Sequence, residues 1–424
     1  GSFSEIHPSS SSLACDDPGV VSGDHSLEAI IDAQWASAAA PNANIVLASC
    51  ASTSQFGGFI AMQNLLDSAA PPAIISISFG AAEDQLGDAE NAFIKALYQQ
   101  AVAEGVSVFA ATGDSGADGN IDDRAAGVAT HGISASGFAS TIYNVAVGGT
   151  DYADAFLGET DQYWNATNSP FLGSAKSYIP EIPWNATCAG SLVANYLGFA
   201  TAYGPNGLCN SSVASQNALL SVAAGSGAPS AVYAKPAWQN VFGNPADQVR
   251  DLPDVSLFAS TGPWGHFYAF CMSSQGQPCA QGSFYGVGGT SLSSPIMAGI
   301  QALINQKTGA RSGNPNPNFY ALARKEYGAS GNESCNSSLG ISVGTNCVFH
   351  DVTLGDNDVL CRGTTNCFTD GATNGVLSRS STSFEPAYPA HPGWDFATGL
   401  GTVNAYKLVM SWPASPSISA SARR

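Results

Sequence analysis

Between residues 24 and 149 short apolar runs alternate with stretches of helical periodicity. In DHSLEAIIDAQWASAA (24–39), Leu27, Ile30, Ile31 and Trp35 recur at three- and four-residue spacing behind Asp24 or Ser26 as a cap, which predicts an amphipathic helix. NIVLAS (44–49), a helical stretch at 57–69, AIISISFG (73–80), a longer helical pattern at 85–104, VSVFAATG (106–113) and YNVAVGG (143–149) follow. Short apolar runs alternating with helices predict an α/β fold, a parallel sheet with helices on both faces. Residues 151–250, rich in Gly, Asn, Ser and aromatics, read as loops and insertions on one edge. PDVSLFAS (253–260) reads as another strand. TSLSSPIMAGIQALINQKTG (290–309) reads as a helix, with Pro295 early enough to be tolerated near its first turn. Beyond 330 the chain is again rich in Cys, Gly and Asn until a short helix near 403–411. Without repeats or a linker, the 424 residues read as one domain.

Charge changes the picture. Only 11% of residues are Asp, Glu, Lys or Arg, against roughly 25% in an average soluble protein. Thirty-two acids face 14 bases, a net charge of −18 at pH 7. Such a surface repels phosphate backbones and anionic lipid, which argues against nucleic-acid and membrane partners. No apolar run reaches the length of a membrane span. Ten cysteines without a C-x-x-C pair imply five disulfides and an oxidising compartment, with Cys188–Cys209, Cys271–Cys279 and Cys361–Cys367 as neighbours suited to pair. Sequons at Asn165, Asn185, Asn210, Asn332 and Asn336 fit a secreted glycoprotein. The start GSFSEIHPSS has no basic-apolar signal, so a trimmed, mature form is expected, extracellular or in a lysosome-like acidic compartment.

The strongest chemical signal is GGTSLSSP (288–295) at the mouth of a helix, where the helix N-terminus stabilises developing negative charge near Ser291. A nucleophilic serine needs a base, and none of His7, His25, His131, His266, His350 and His391 stands in a supporting motif. Glu28 and Asp32, at i and i+4, project from one helical face flanked by Ile, Leu and Trp. Two acids so placed share a proton, which raises one of them. Asp114, in ATGDSG after the VSVFA run, sits at the carboxyl end of a strand, where ligand chemistry on parallel sheets gathers.

With these motifs in order, the chain resembles the sedolisin (serine-carboxyl) peptidases, acid-acting relatives of subtilisin. The resemblance runs from SLEAIIDAQWA through SISFG, ATGDSGA, AVGGTDY, SYIPEIPWN, LPDVS, GGTSLSSP and FHDVTLGDN to PGWDFATGLG. It implies a subtilisin-like fold with Ser291 as nucleophile and Glu28 as general base. Asp32 would orient Glu28, and Asp114 would build the oxyanion hole with the Ser291 amide. A carboxyl base suits acid, where imidazole is already protonated. The resemblance also implies one structural Ca²⁺, in a segment of about 350–401, held by the carboxylates of Asp351 and Asp395, by carbonyls of Val352, His391 and Gly393, and by water. It further implies a removed N-terminal prodomain, peptide or protein substrates and a monomeric enzyme. Phe79 stands where the family often has Trp, and Leu292 where a smaller residue is common. Endopeptidase and tripeptidyl-peptidase action both stay open. Two competing readings are a Ser-His-Asp peptidase on the same fold and a catalytically dead, calcium-stabilised binding protein.

Overall fold

The computed structural model describes residues 1–19, 24–170, 172–260, 262–273, 279 and 284–413. Among them a seven-stranded sheet runs, in spatial order, Phe349–His350, Thr402–Val403, Val255–Phe258, Val145–Tyr152, Ser107–Ala111 and Ile74–Ile77, with Glu181–Pro183 pairing against Val145–Tyr152. The four pairings from Thr402–Val403 through Ile74–Ile77 are parallel. Glu181–Pro183 and Phe349–His350 join antiparallel. The predicted α/β architecture is therefore present.

Alternation along the strands sends successive residues to opposite faces. Phe109, Val145, Val147 and Val255 share a cluster with Met297, Ile300, Ile304, Phe319 and Tyr320, from the helices Thr290–Thr308 and Asn316–Tyr327. Val108, Ile75 and Ile77 face the other way, onto Phe59, Met62, Ile94 and Leu97 of the helices Gly57–Leu66 and Glu83–Ala103. Helices thus cover both faces. The apolar run at 44–49 departs from expectation. It forms a strand, Asn44–Ala48, but pairs in parallel with Ser2–Ile6 in a separate two-stranded sheet. With Val46 about half exposed, it is a surface ribbon rather than a core strand.

The helix Asp24–Ala39 packs along Thr290–Thr308, and this contact aligns the candidate residues. Of the two proposed caps, the Asp24 side chain lies outside the described residues. The helices touch closely at Gly299, where a Cβ would lie 2.5 Å from Ala39 Cβ and 3.1 Å from the Ala36 carbonyl oxygen. Only glycine lets the backbones approach that far. Leu292, the departure from the family pattern, is fully buried between the same helices with Ile31, Phe270 and Met272.

All ten cysteines are bridged: Cys15–Cys50, Cys188–Cys209, Cys271–Cys279, Cys335–Cys347 and Cys361–Cys367. The three neighbouring pairs form as expected. The sequons fare differently. Asn185 is buried, and its amide donates to Asp356 Oδ1 and to the carbonyls of Asp356 and Asp358. Asn210 Nδ2 donates to the carbonyls of Gly204 and Asn374. Asn210 is half-buried, whereas Asn165 is exposed. No described helix is long and apolar enough to cross a membrane.

Candidate active site

Strands Ile74–Ile77 and Ser107–Ala111 end side by side, delivering Ser78 and Asp114 to the edge where the helix Thr290–Thr308 begins. Gly289, at φ 135°, precedes that helix. A side chain there would be strained, and its Cβ would press to 3.1 Å from Asp114 Oδ2. The turn lets the Thr290 amide donate to Asp114 Oδ1 at 2.8 Å, joined by the Thr290 hydroxyl at 3.0 Å. Asp114 Oδ2 meets Arg124 at 3.0 Å. Asp114 is buried, while more than half of the Arg124 side chain is exposed.

Pro295 explains the next contact. It has no amide hydrogen to give to the carbonyl four residues back, that of Ser291. Ser78 Oγ fills the gap, 3.2 Å from the Ser291 carbonyl oxygen, and lies 2.7 Å from Asp32 Oδ1. Ser78 has one hydroxyl hydrogen for two acceptors. If Asp32 carries a proton and donates it to Ser78 Oγ, both contacts are satisfied. Ser291 Oγ in turn reaches the Ser78 carbonyl at 3.5 Å, a long contact that leaves the hydroxyl ready to change partner.

Burial, and then the charge of Asp32, push the Glu28 carboxyl far above its usual range, while the nearby Ser291 hydroxyl pulls it part of the way back. Burial likewise raises Asp32, against the Ser78 hydrogen bond. The dyad therefore retains a proton where isolated carboxyls would have lost theirs. Among the described residues Glu28 Oε1 is buried without a hydrogen-bond partner. Glu28, Asp32, Ser291 and Asp114 are thus brought together.

The histidines are engaged elsewhere. His131 bonds Asp123 at 3.0 Å and His25 stacks on Phe79. His266 lies 3.0 Å from both Asp151 and Asp154. His7 is held by Ser49, His350 packs on Tyr178, and His391 Nδ1 lies by the Pro392 carbonyl. Sequence reasoning missed Ser78, although it lies inside the SISFG motif, and Arg124, for which no local pattern gave a signal.

The second predicted site is assembled from loops. Asp351 Oδ2 accepts from the Gly393 amide at 2.9 Å, and Asp395 Oδ2 from the His391 amide at 3.0 Å. Asp395 Oδ1 accepts from the amides of Ala397 and Thr398 at 2.9 and 2.8 Å. Both carboxyl groups are buried, and Asp351 Oδ1 has no partner among the described residues. Two buried acids close to one another, one with an orphaned oxygen, fit a hard cation held mainly by oxygen. No described group of three or more His, Cys, Asp or Glu side chains forms a metal cluster, so such a cation would depend on carbonyls as well.

Residues 19–316 match the subtilase family of peptidases, and the chain belongs to that family. Within it the chain groups with the sedolisins. It is 27% identical over 394 residues to kumamolisin of Bacillus sp. (strain MN-32), across 91% of this chain and 50% of that protein. It is also 27% identical over 183 residues to sedolisin of Pseudomonas sp. (strain 101), across 43% of this chain and 22% of that protein. The chain therefore spans at most about half the length of these curated relatives. A solved structure of Pseudomonas sedolisin, a serine-carboxyl proteinase complexed with two molecules of pseudo-iodotyrostatin, shares the fold. Its TM-score is 0.59 at 22% identity, covering 96% of this chain and 83% of that one.

Proposed function

We propose that this protein is a secreted serine-carboxyl peptidase that hydrolyses peptide bonds in acid. The observation that carries the reading is the meeting of Ser291 with the buried, proton-retaining pair Glu28 and Asp32. Ser291 Oγ attacks the scissile carbonyl carbon as its proton passes to ionised Glu28, and Asp32, itself held by Ser78 at 2.7 Å, orients Glu28. The tetrahedral oxyanion takes hydrogen bonds from the Ser291 amide and from Asp114. Asp114 Oδ1 stays with Thr290, so Oδ2, paired with the exposed Arg124, is the oxygen that exchanges partners as substrate enters. Glu28 then protonates the departing amine, and the same groups run in reverse as water releases the acyl-enzyme. The first test is digestion at about pH 4 of a protein with a blocked amino terminus. Internal cuts establish endopeptidase action, and cutting only after the amine is freed establishes tripeptidyl action. An absence of cutting on blocked and free substrates from about pH 2 to 7 would overturn the peptidase reading in favour of a binding protein.

The dyad gives a sharper prediction. A neighbouring negative charge raises the proton affinity of a carboxyl, so Asp32→Asn lowers that of Glu28. The acid limb of kcat/KM should move to lower pH, and kcat should fall by about 10²- to 10⁴-fold as orientation is lost. A limb that stays in place or moves upward contradicts the assignment of Glu28 as base.

Asp351 and Asp395, with carbonyls of Val352, His391 and Gly393, would hold one Ca²⁺. The ion would neutralise two buried carboxylates and tie residues 350–352 to 391–395. Chelation at pH 6 should lower the melting temperature by about 5 °C or more, with recovery on adding calcium but not magnesium. A melting temperature indifferent to chelator would remove the ion from the account.

A further inference from the structure

Away from the four catalytic candidates, a cavity of about 370 Å³ opens between residues 189–203 and 355–389. The cysteine bridge 188–209 closes the first of these segments into a loop, and the 361–367 bridge pins the second. Asp356 ties the walls together. Its Oδ2 accepts from the Ser191 amide at 2.9 Å, and its Oδ1 from Asn185 Nδ2 at 3.0 Å and the Asp358 amide at 3.1 Å. Those bonds leave Asp356 saturated.

Asp358, at 2% exposure, is different. Its Oδ1 accepts from the Ala387 amide at 2.6 Å, but no described residue donates to its Oδ2. The nearest opposite charge, Arg379, acts on it only through space and forms no ion pair with it among the described residues. Tyr388 and Asp356 are the other titratable groups close enough to feel it. Around this carboxyl the walls are apolar and aromatic: Phe199, Tyr203, Phe384 and Pro386, with the rings of Tyr203 and Phe384 4.5 Å apart.

We propose that this cavity binds the basic side chain of a polypeptide, a guanidinium or ammonium on an apolar stem, with the charged head on Asp358 and the stem along the Phe199–Tyr203–Phe384 wall. A buried carboxyl with one oxygen to spare gives up its proton most readily to a donor that is itself charged. Aromatic faces favour a cation over a neutral amide and pack against its methylenes. The lining holds no cation to receive the α-carboxylate of a free amino acid. A side chain carried on a peptide, its backbone neutral, is therefore the better fit.

The inference goes beyond the peptidase reading and does not depend on it, because binding can be measured on the Ser291→Ala protein. Calorimetry with N-acetyl-L-arginine methylamide at pH 6.5 should give saturable binding at one site. The neutral citrulline isostere and free arginine should each bind about tenfold or more weakly. Asp358→Asn, which keeps the shape and the Ala387 contact, should cost the arginine probe a similar factor. The unmutated cavity provides a second check, since protons and the cation compete for Asp358. Affinity for the arginine probe should therefore fall between pH 6.5 and pH 4. Absence of saturable binding, equal binding of the arginine and citrulline probes, tighter binding of free arginine, or an affinity indifferent to pH would each overturn the proposal.

Discussion

Replacing Ser291 with alanine is expected to reduce peptide-bond hydrolysis by at least about 10⁴-fold while the melting temperature moves little. The change deletes one hydroxyl, whose contact with the Ser78 carbonyl is already long at 3.5 Å. The Ser291 carbonyl keeps its Ser78 partner. Folding therefore loses almost nothing, while the reaction loses the atom that forms the acyl-enzyme. Glu28→Gln should follow it closely, since both act in one proton transfer and their losses do not add. Substituting all six histidines should leave acid activity standing, because none of them bonds to Ser291, Glu28 or Asp32. A Ser291→Ala protein that cleaves at the rate of the parent would remove the mechanism altogether.

Thermal stability is expected to fall steeply from pH 4 to pH 9. Burial raises Asp32 and Asp251 to about 7 and Asp118 to about 8. Burial, reinforced by the charge of Asp32, raises Glu28 further. An acid whose folded pKa exceeds its unfolded value keeps its proton longer in the folded state. Its favourable contribution is complete below the unfolded value near 4 and is lost as pH climbs through the folded one. Buried His350, lowered to about 4, pulls the other way, and His266 pulls with the acids. Burial opposes its charge, but its bonds to Asp151 and Asp154 prevail and raise it to about 9. Its contribution is present below about 6.5 and disappears through about 9. With calcium held in excess and the Ser291→Ala protein used to prevent self-digestion, the melting temperature should be at least about 5 °C higher at pH 4 than at pH 8. A higher value at pH 8 would contradict the account. The sparse, acidic composition fits the same direction, since protonating carboxyls reduces the repulsion among 32 acids.

Much of the site was legible because its parts are local. Glu28 and Asp32 lie one turn apart on a single helix, Asp114 follows a strand, and Ser291 opens a helix. Each position follows from a short-range rule. Ser78 was not legible, because its role depends on the amide that Pro295, more than two hundred residues later, does not have. Arg124 was hidden for a similar reason, since a short surface helix brings it to Asp114 only in three dimensions. In the fold, the buried runs announced the parallel sheet. The pairing of Ser2–Ile6 with Asn44–Ala48 left no trace in either segment, because partner choice between distant strands is a tertiary matter. The role of Asn185 was hidden in the same way. Three residues match the pattern of a surface modification while the fold uses the amide to join two buried loops.

The disulfides divide the molecule mechanically. Their partners stand only 6 to 35 residues apart, and none links the strands Ile74–Ile77, Ser107–Ala111, Val145–Tyr152 or Val255–Phe258 to the nucleophile helix. The scaffold under Ser291 therefore stands on packing and hydrogen bonds without a covalent tie, and the bridges reinforce the excursions around it. A change of redox environment would loosen the rim before it reached the framework beneath Ser291.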